Sequence, residues 1–564
     1  MYLGKLTPPP QTRATLRRFL GYDARVRTAE GAFRDMENLC SDGYPALTVR
    51  PPRGTVAAVA EPHGLLGKDC LLWVDGTTLY MNGAAADMVL SPGDKQLISM
   101  GAYVLIWPDK LYLNTRDITD CGSLENTAAP TGEVCFSLCD ARGTALGAFT
   151  VSEEPPADPV EGALWRGDKL YRCTAGGWQE VQGVCTRVAA AGIGRGFSPG
   201  DGVVLSGCTA CEVNGTHVLV ECTDDALVIA ADPAAAGTQT GGVTVRRYVP
   251  EMDFVIECGN RLWGCKYGMV NGRAVNEIYA SALGDFRNWN TFAGLSTDSY
   301  AAQRGSDGAF TGAAAYLGTP IFFKEGCMER VFVSAGGGHQ ITTLECPGVK
   351  SGSSRSLCVV EGVLYYHGVD GVYAFEGSMP RRISQCLGPA VYHGGAAGTR
   401  AGKYYLSLRD AEGRPRLFVW DPLRQLWHRE DDPGVKWFAA CGHDLYAMTA
   451  GHILAMGGTA GQCREDIRWF AETGELGLDT PEGKYLQRLE VCLQPADGAG
   501  AELSVSYDGG RSWLSQGSVT AGGRRSVLHV RPRRQRTLRL RLSGKGACRV
   551  YSATAVYEKG GDGP

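Results

Sequence analysis

Few groupings of residues in this chain could do chemistry by type and spacing. Cys208-Thr-Ala-Cys211 is a C-x-x-C, the spacing that holds zinc or cycles as a redox pair. No second pair stands at zinc-finger spacing, so a metal there lacks half its ligands. Gly192-Ile-Gly-Arg-Gly196 is glycine-rich but has neither the strand–helix setting nor the spacing of a dinucleotide loop. Asp117, Asp120, Asp224 and Asp225 do not follow the order of a calcium loop. The nine histidines include no H-E-x-x-H, and no Walker loop or serine nucleophile elbow is present. His367 and His428 fall among aromatic strand residues, the setting of a satisfied core or rim histidine. On this reading the chain is not an enzyme and takes neither cofactor nor metal.

Two further groupings are not catalytic in type. Ser506-Tyr-Asp-Gly-Gly-Arg-Ser-Trp513 fits the pattern S-x-D-x-G-x-T-W with Ser512 in place of Thr. Asp508 can accept backbone N–H groups across a turn that Gly509 and Gly510 permit, with Trp513 packed beneath. The box Ser506, Asp508, Gly510, Trp513 resembles the Asp boxes of sialidases, which are structural turns repeated around a propeller; here there is one. The second grouping is basic: Arg524, Arg525, Arg531, Arg533, Arg534, Arg536, Arg539 and Arg541 crowd into one short tract. A solvated sheet face is one reading, and a subunit contact or a surface lining a DNA passage is the other.

The elements that must position these residues are strands. At 564 residues the chain exceeds one core, and 44% hydrophobic with 21% charged residues is ordinary globular composition. Its 77 glycines, without a G-x-y period, favour a turn-rich all-β protein. Net charge −4 provides no bulk cationic footprint for wrapping nucleic acid. No apolar run reaches the length of a membrane span. Met1-Tyr-Leu-Gly-Lys5 leads into prolines rather than an apolar run, so no secretory leader is expected, and the 20 scattered cysteines suit a reducing cytoplasm at synthesis.

One phrase recurs: an aromatic-bearing strand, a tight turn, a second short strand. It stands at Arg261–Gly268 with Glu277–Ser281, where Phe286, Trp289 and Phe292 are expected as anchors. It returns at 320–324, 363–375, 403–420 and 444–455, close to the period of four-stranded blades, and six units are counted if residues 56–118 supply one. The expected architecture is all-β: a β-propeller over 56–118 and 249–460, an inserted β-domain at 119–248, and a β-sandwich at 461–558 with a short tail, 559–564. Residues 1–55 read as an extended, proline-stiffened arm lying on its own domain or a neighbour, with Phe33, Leu39, Tyr44 and Leu47 as anchors. The segment 464–470 is the one helix candidate outside the arm.

The order of parts resembles the tail nozzle or "stabilisation" proteins of tailed bacteriophages. The likeness is carried by Asn38-Leu39, Tyr44-Pro45 and Arg50-Pro51, by Ile278–Trp289, and by Leu503–Trp513 followed by the arginine tract and Leu538–Leu542. It implies a virion protein assembled in the host bacterial cytoplasm as a homo-oligomeric ring, often of six copies. Such a ring adjoins the head–tail connector or adaptor and the fibre or tip proteins, and genomic DNA passes it without sequence recognition. Ring contacts are then expected at Phe33, Leu39, Tyr44 and Leu47 and at Arg531, Arg533, Arg534 and Arg536. Deleting residues 1–50 should leave a folded propeller that fails to assemble. The alternative is a tail-tip propeller binding host-surface glycan, with Trp165 and Trp178 as stacking platforms.

Overall fold

The computed structural model describes residues 10–560 apart from 235, 293, 334–337, 464–465, 479, 497–498 and 521–524. Its named elements are β-strands and two single-turn 3-10 helices. The expected helix near 464–470 is corrected where it is described: Arg468–Thr473 is a strand, because Ile467, Trp469 and Ala471 point inward at period two. The chain divides into two compact units, the described parts of 1–94, 323–328 and 345–564, and of 95–322 with 329–344.

The first unit holds four antiparallel four-stranded sheets, at 62–89, 358–382, 393–429 and 437–455. Consecutive sheets share apolar layers. Tyr365 and Ala374 meet Leu406 and Phe418, Leu417 and Val419 meet Leu445 and Ala447, and Met448 and Ile453 meet Leu65 and Trp73. The sheet at 437–455 is completed by the N-terminal strand Gly54–Ala58, with Ile453 opposite Ala57 and Ala455 opposite Gly54. The two ends of the propeller sequence thus share one blade.

The second unit holds two more such sheets, at 96–123 and 254–303, and most of a third at 312–345. Trp107 and Leu105 pack with Phe286 and Trp289 between the first two, and Trp263 and Ile278 with Phe322 and Val331 between the next. The reading of 273–292 needs one correction: Phe286 and Trp289 are buried, whereas Phe292 is 58% exposed and anchors nothing. The turn at Asn271-Gly272 is tight. Val270 pairs Arg273, and both turn residues have positive φ, at 49° and 79°. Between the blades at 96–123 and 254–303 lies the inserted domain, an eight-stranded sheet entered by Asn126–Ala128 and left by Thr244–Arg247, which pair with each other. A four-stranded sheet at 149–180 decorates it.

The fold is therefore an all-β propeller with an inserted β-domain and a C-terminal β-sandwich. Seven blade-type sheets occur among the described residues against the six counted from sequence. The N-terminal part yields two because Ala84–Val89, mostly exposed and alanine-rich, is a fourth strand with no hydrophobic alternation to announce it.

The arm lies on its own sandwich and supplies strands to both sheets. Gln11–Leu16 and Leu47–Val49 pair the last strand, Cys548–Lys559, and Phe33–Glu37 pairs Arg468–Thr473. Phe19, Phe33, Met36, Leu39 and Leu47 enter a core with Trp469, Leu489, Leu503, Leu540 and Tyr557. Asn38, at φ 59°, is the hub where arm meets blade. Its Nδ2 donates to the Arg468 carbonyl at 2.8 Å, and its Oδ1 accepts from Arg50 Nε at 2.7 Å and from the Asp431 N–H at 2.9 Å. Around it Arg53 Nη2 sits 2.7 Å from both Glu430 and Asp431, and Arg429 reaches Asp35 and Glu37 at 2.8 and 2.6 Å.

Candidate functional site

The arginine tract separates into two roles once its strand is placed. Leu538 and Leu540 are buried, and Leu542 packs against the sandwich core. Arg539 and Arg541 occupy the other face and share Glu472, at 3.7 and 2.8 Å, while the Arg541 guanidinium stacks 4.2 Å over the Trp513 ring. These two are structural. Arg531, Arg533, Arg534 and Arg536 lie in the segment before that strand and are exposed. Arg533 lies 5.6 Å over the ring of Tyr507. Arg524 lies outside the described residues.

The Asp box joins Gly500–Ser506 to Leu514–Thr520 beside that row. Asp508 Oδ1 accepts the N–H groups of Arg511 and Ser512 at 3.0 and 2.9 Å, and Oδ2 accepts the Ser512 hydroxyl at 2.5 Å. Ser506 Oγ bonds Asp508 Oδ1 and accepts the Gly510 N–H, both at 2.8 Å. The Ser512 hydroxyl and these N–H groups hold the Asp508 carboxyl far below the usual range. A carboxylate so committed is a turn fastener.

The other expected contacts fare differently. Phe33, Leu39 and Leu47 are 5%, 0% and 3% exposed. Their assignment as contacts with a neighbour is corrected: they fill this chain's own core. Tyr44 remains half-exposed, its hydroxyl accepting from Arg18 Nε at 2.6 Å and its ring under Arg424 at 4.6 Å. Trp165 is 9% exposed, stacked on Tyr171 at 5.0 Å and tilted against Trp178 at 5.7 Å. Its Nε1 donates to the Ser152 carbonyl at 3.1 Å and to Ser152 Oγ at 3.0 Å. The face a sugar would need is occupied. Cys208 and Cys211 are buried in the inserted domain's apolar core, and burial pushes both thiols up, that of Cys211 to about 11.

One buried constellation left no sequence signal. His428 Nε2 lies 3.1 Å from Ser41 Oγ, and the Ser41 hydroxyl donates to Asp421. Lys403 bonds Asp42 alongside. Ser41, Asp42, Lys403 and Asp421 line a cleft of about 700 Å³ together with Tyr365 and Trp420. The pair is not poised as a nucleophile and base: the Ser41 proton is engaged by Asp421, and His428 Nδ1 has no hydrogen-bond partner among the described residues to orient the ring. It links arm to blade across a sequence separation of 387 residues, which no local motif spans.

Burial lowers His428 to about 3 and His367 to about 4. The unfolded chain takes up these protons near pH 6.5, so the stability contributed is complete above that pH and lost as pH falls through the window to about 4. Between pH 7.5 and 5 the two together should cost roughly 4 kcal/mol. Urea midpoints of wild type and of His367→Gln/His428→Gln should therefore converge on acidification, and parallel curves would refute the assignment.

No family model and no curated protein sequence matches the chain. Among solved structures it is similar to an exo-β-1,3-galactanase from Phanerochaete chrysosporium, with 8% identity and TM-score 0.21 over 53% of this chain and 94% of that one. A glycoside hydrolase family 43 arabinoxylan arabinofuranohydrolase from Bacillus subtilis matches with 10% identity, TM-score 0.17 and coverages of 53% and 94%. Trypanosoma rangeli sialidase matches with 9% identity and TM-score 0.20 over 98% and 96%. The expectation that the chain is not an enzyme is withdrawn, because it rested on absent local motifs alone. Glycosidase carboxylates come from separate strands and leave no contiguous motif, so the missing motifs never excluded such chemistry. At these scores the likeness says nothing about substrate.

Proposed function

We propose that the chain is a ring-forming subunit of a tailed-bacteriophage tail, a nozzle or hub that closes the DNA channel and joins the head–tail connector to distal parts. The observation that carries this is the cationic row at Arg531, Arg533 and Arg536. All three are exposed, and none forms an ion pair among the described residues, in a chain whose net charge is −4. A desolvated or screened anion outside the chain is the natural complement of such a row. The residues behind the sequence resemblance support the reading from the inside. Asn38 and Arg50 are the hub of the arm–blade junction, and Leu538 and Leu540 anchor the strand that follows the row. Blades with short protected edges suit a closed ring under DNA pressure.

Mass photometry of the purified chain, with electron microscopy of virions carrying it, tests the proposal. The expected result is one closed ring per particle, of about six copies. A monomer at every concentration, absent from tails, would sink it.

A further inference from the structure

We propose that neighbouring copies join by seating the acidic segment 151–161 of one on the arginine row 531–536 of the next. This rests on the ring reading above and names its contact.

Both surfaces are unsatisfied within their own chain. Glu153, Glu154, Asp158 and Glu161 are all exposed in a segment with no Lys, Arg or His. Among the described residues none of the four forms an ion pair, and neither do Arg531, Arg533 or Arg536. By contrast Arg539 and Arg541, a few positions on, share Glu472 as an ion-pair partner. Opposite charges left open on two segments of one chain are what a heterologous, head-to-tail contact uses.

The acidic segment is held in shape before it meets anything. Trp165 Nε1 grips Ser152, and Ser152 Oγ donates to the Glu154 carbonyl at 2.6 Å. At the other end the Ala163 N–H closes a turn onto the Val160 carbonyl at 2.9 Å. Pro155, Pro156 and Pro159 stiffen what lies between. Trp165 is thus a positioning residue for this loop. A segment ordered in advance loses little entropy on docking.

Apolar contacts accompany the charges on both sides. Val151 and Val160 are 66% and 77% exposed on the loop, and Tyr485, Leu514 and Val527 are 36%, 49% and 44% exposed on the sandwich. Tyr485 pairs Arg534 directly in the sheet. Tyr485, exposed beside Arg534, favours a protein loop of matching composition over a phosphate backbone, which offers charge without apolar area.

The test uses the full chain and three variants: Glu153→Arg/Glu154→Arg/Asp158→Arg, Arg531→Glu/Arg533→Glu/Arg536→Glu, and all six together. All six positions are exposed, so circular dichroism and thermal midpoints should match wild type. By mass photometry at about 50 mM salt, each triple reversal should raise the concentration for half-assembly at least about tenfold, and the sextuple exchange should return it to near wild type. Wild-type assembly should weaken at about 500 mM salt. If both triple variants form rings like wild type, this contact is wrong and the ring stands. If wild type never forms rings in solution or in tails, the ring reading itself fails. If rings persist while the arginine variant alone loses binding to a short DNA duplex, the row meets DNA and the proposal is overturned.

Discussion

Removal of residues 10–50 should yield insoluble or protease-sensitive protein, not the folded propeller that an extended arm implied. Five large side chains from that segment, Phe19, Phe33, Met36, Leu39 and Leu47, are at most 5% exposed in the sandwich core. Burial of each is worth about 1.5–3 kcal/mol, and together they amount to roughly 7–15 kcal/mol, the size of a whole domain's stability. The deletion also strips the edge of Cys548–Lys559, where Gln11–Leu16 runs antiparallel in register from Glu558 to Ala553. An unpaired long strand is an aggregation site. Limited proteolysis decides the matter. A protease-resistant product with wild-type near-ultraviolet circular dichroism would show the segment to be dispensable to the fold.

The second large effect is expected at Arg53. Its Nη2 reaches Glu430 and Asp431 at 2.7 Å, and both it and Glu430 are only 5% exposed. In Arg53→Met the nearest remaining guanidinium to Glu430 is that of Arg50, at 3.9 Å. Leaving a buried carboxylate so poorly compensated costs about 3–5 kcal/mol. Arg414→Met is the control: its side chain is 62% exposed beside Asp410 and Glu412, and loss of such a surface pair costs about 0–1 kcal/mol. Equal urea midpoints for the two variants would show that the arm–blade junction does not depend on this network.

What could be read in the sequence was whatever its own neighbourhood determines. The alternation Leu538, Leu540, Leu542 against Arg539 and Arg541 placed a strand with the right face inward, because period-two patterning needs no knowledge of the partner. The Ser506–Trp513 turn was legible for the same reason: its hydrogen bonds close within four residues. The arm was not. Phe33 and Leu39 look alike as anchors whether they enter their own core or a neighbour's, since the strands that receive them lie hundreds of positions away. Trp165 failed in another way. Aromatic type suggested stacking surfaces, but exposure is a tertiary property, and Trp165 spends both its ring and its Nε1 on its own domain. Ser41 and His428 mark the limit, each unremarkable alone and adjacent only through the fold.

The pairing of the N-terminal strands with the end of the chain has a consequence for biosynthesis. Thr15 bonds Thr554 across 539 positions, and Gly54–Ala58 completes a blade whose other strands begin at Trp437. At about 5–20 residues per second, the ribosome takes roughly 30–100 seconds to deliver the second partner after the first emerges. For that interval strands with free edges wait unpaired, exposed to one another on crowded polysomes. The early segment is suited to that wait: Gln11–Leu16 is mostly polar and is flanked by Pro10 and by Arg17-Arg18, which blunt edge-to-edge pairing. Heat or overexpression should therefore damage the nascent chain well before the finished protein, and slow translation should be more harmful to yield than any single surface substitution.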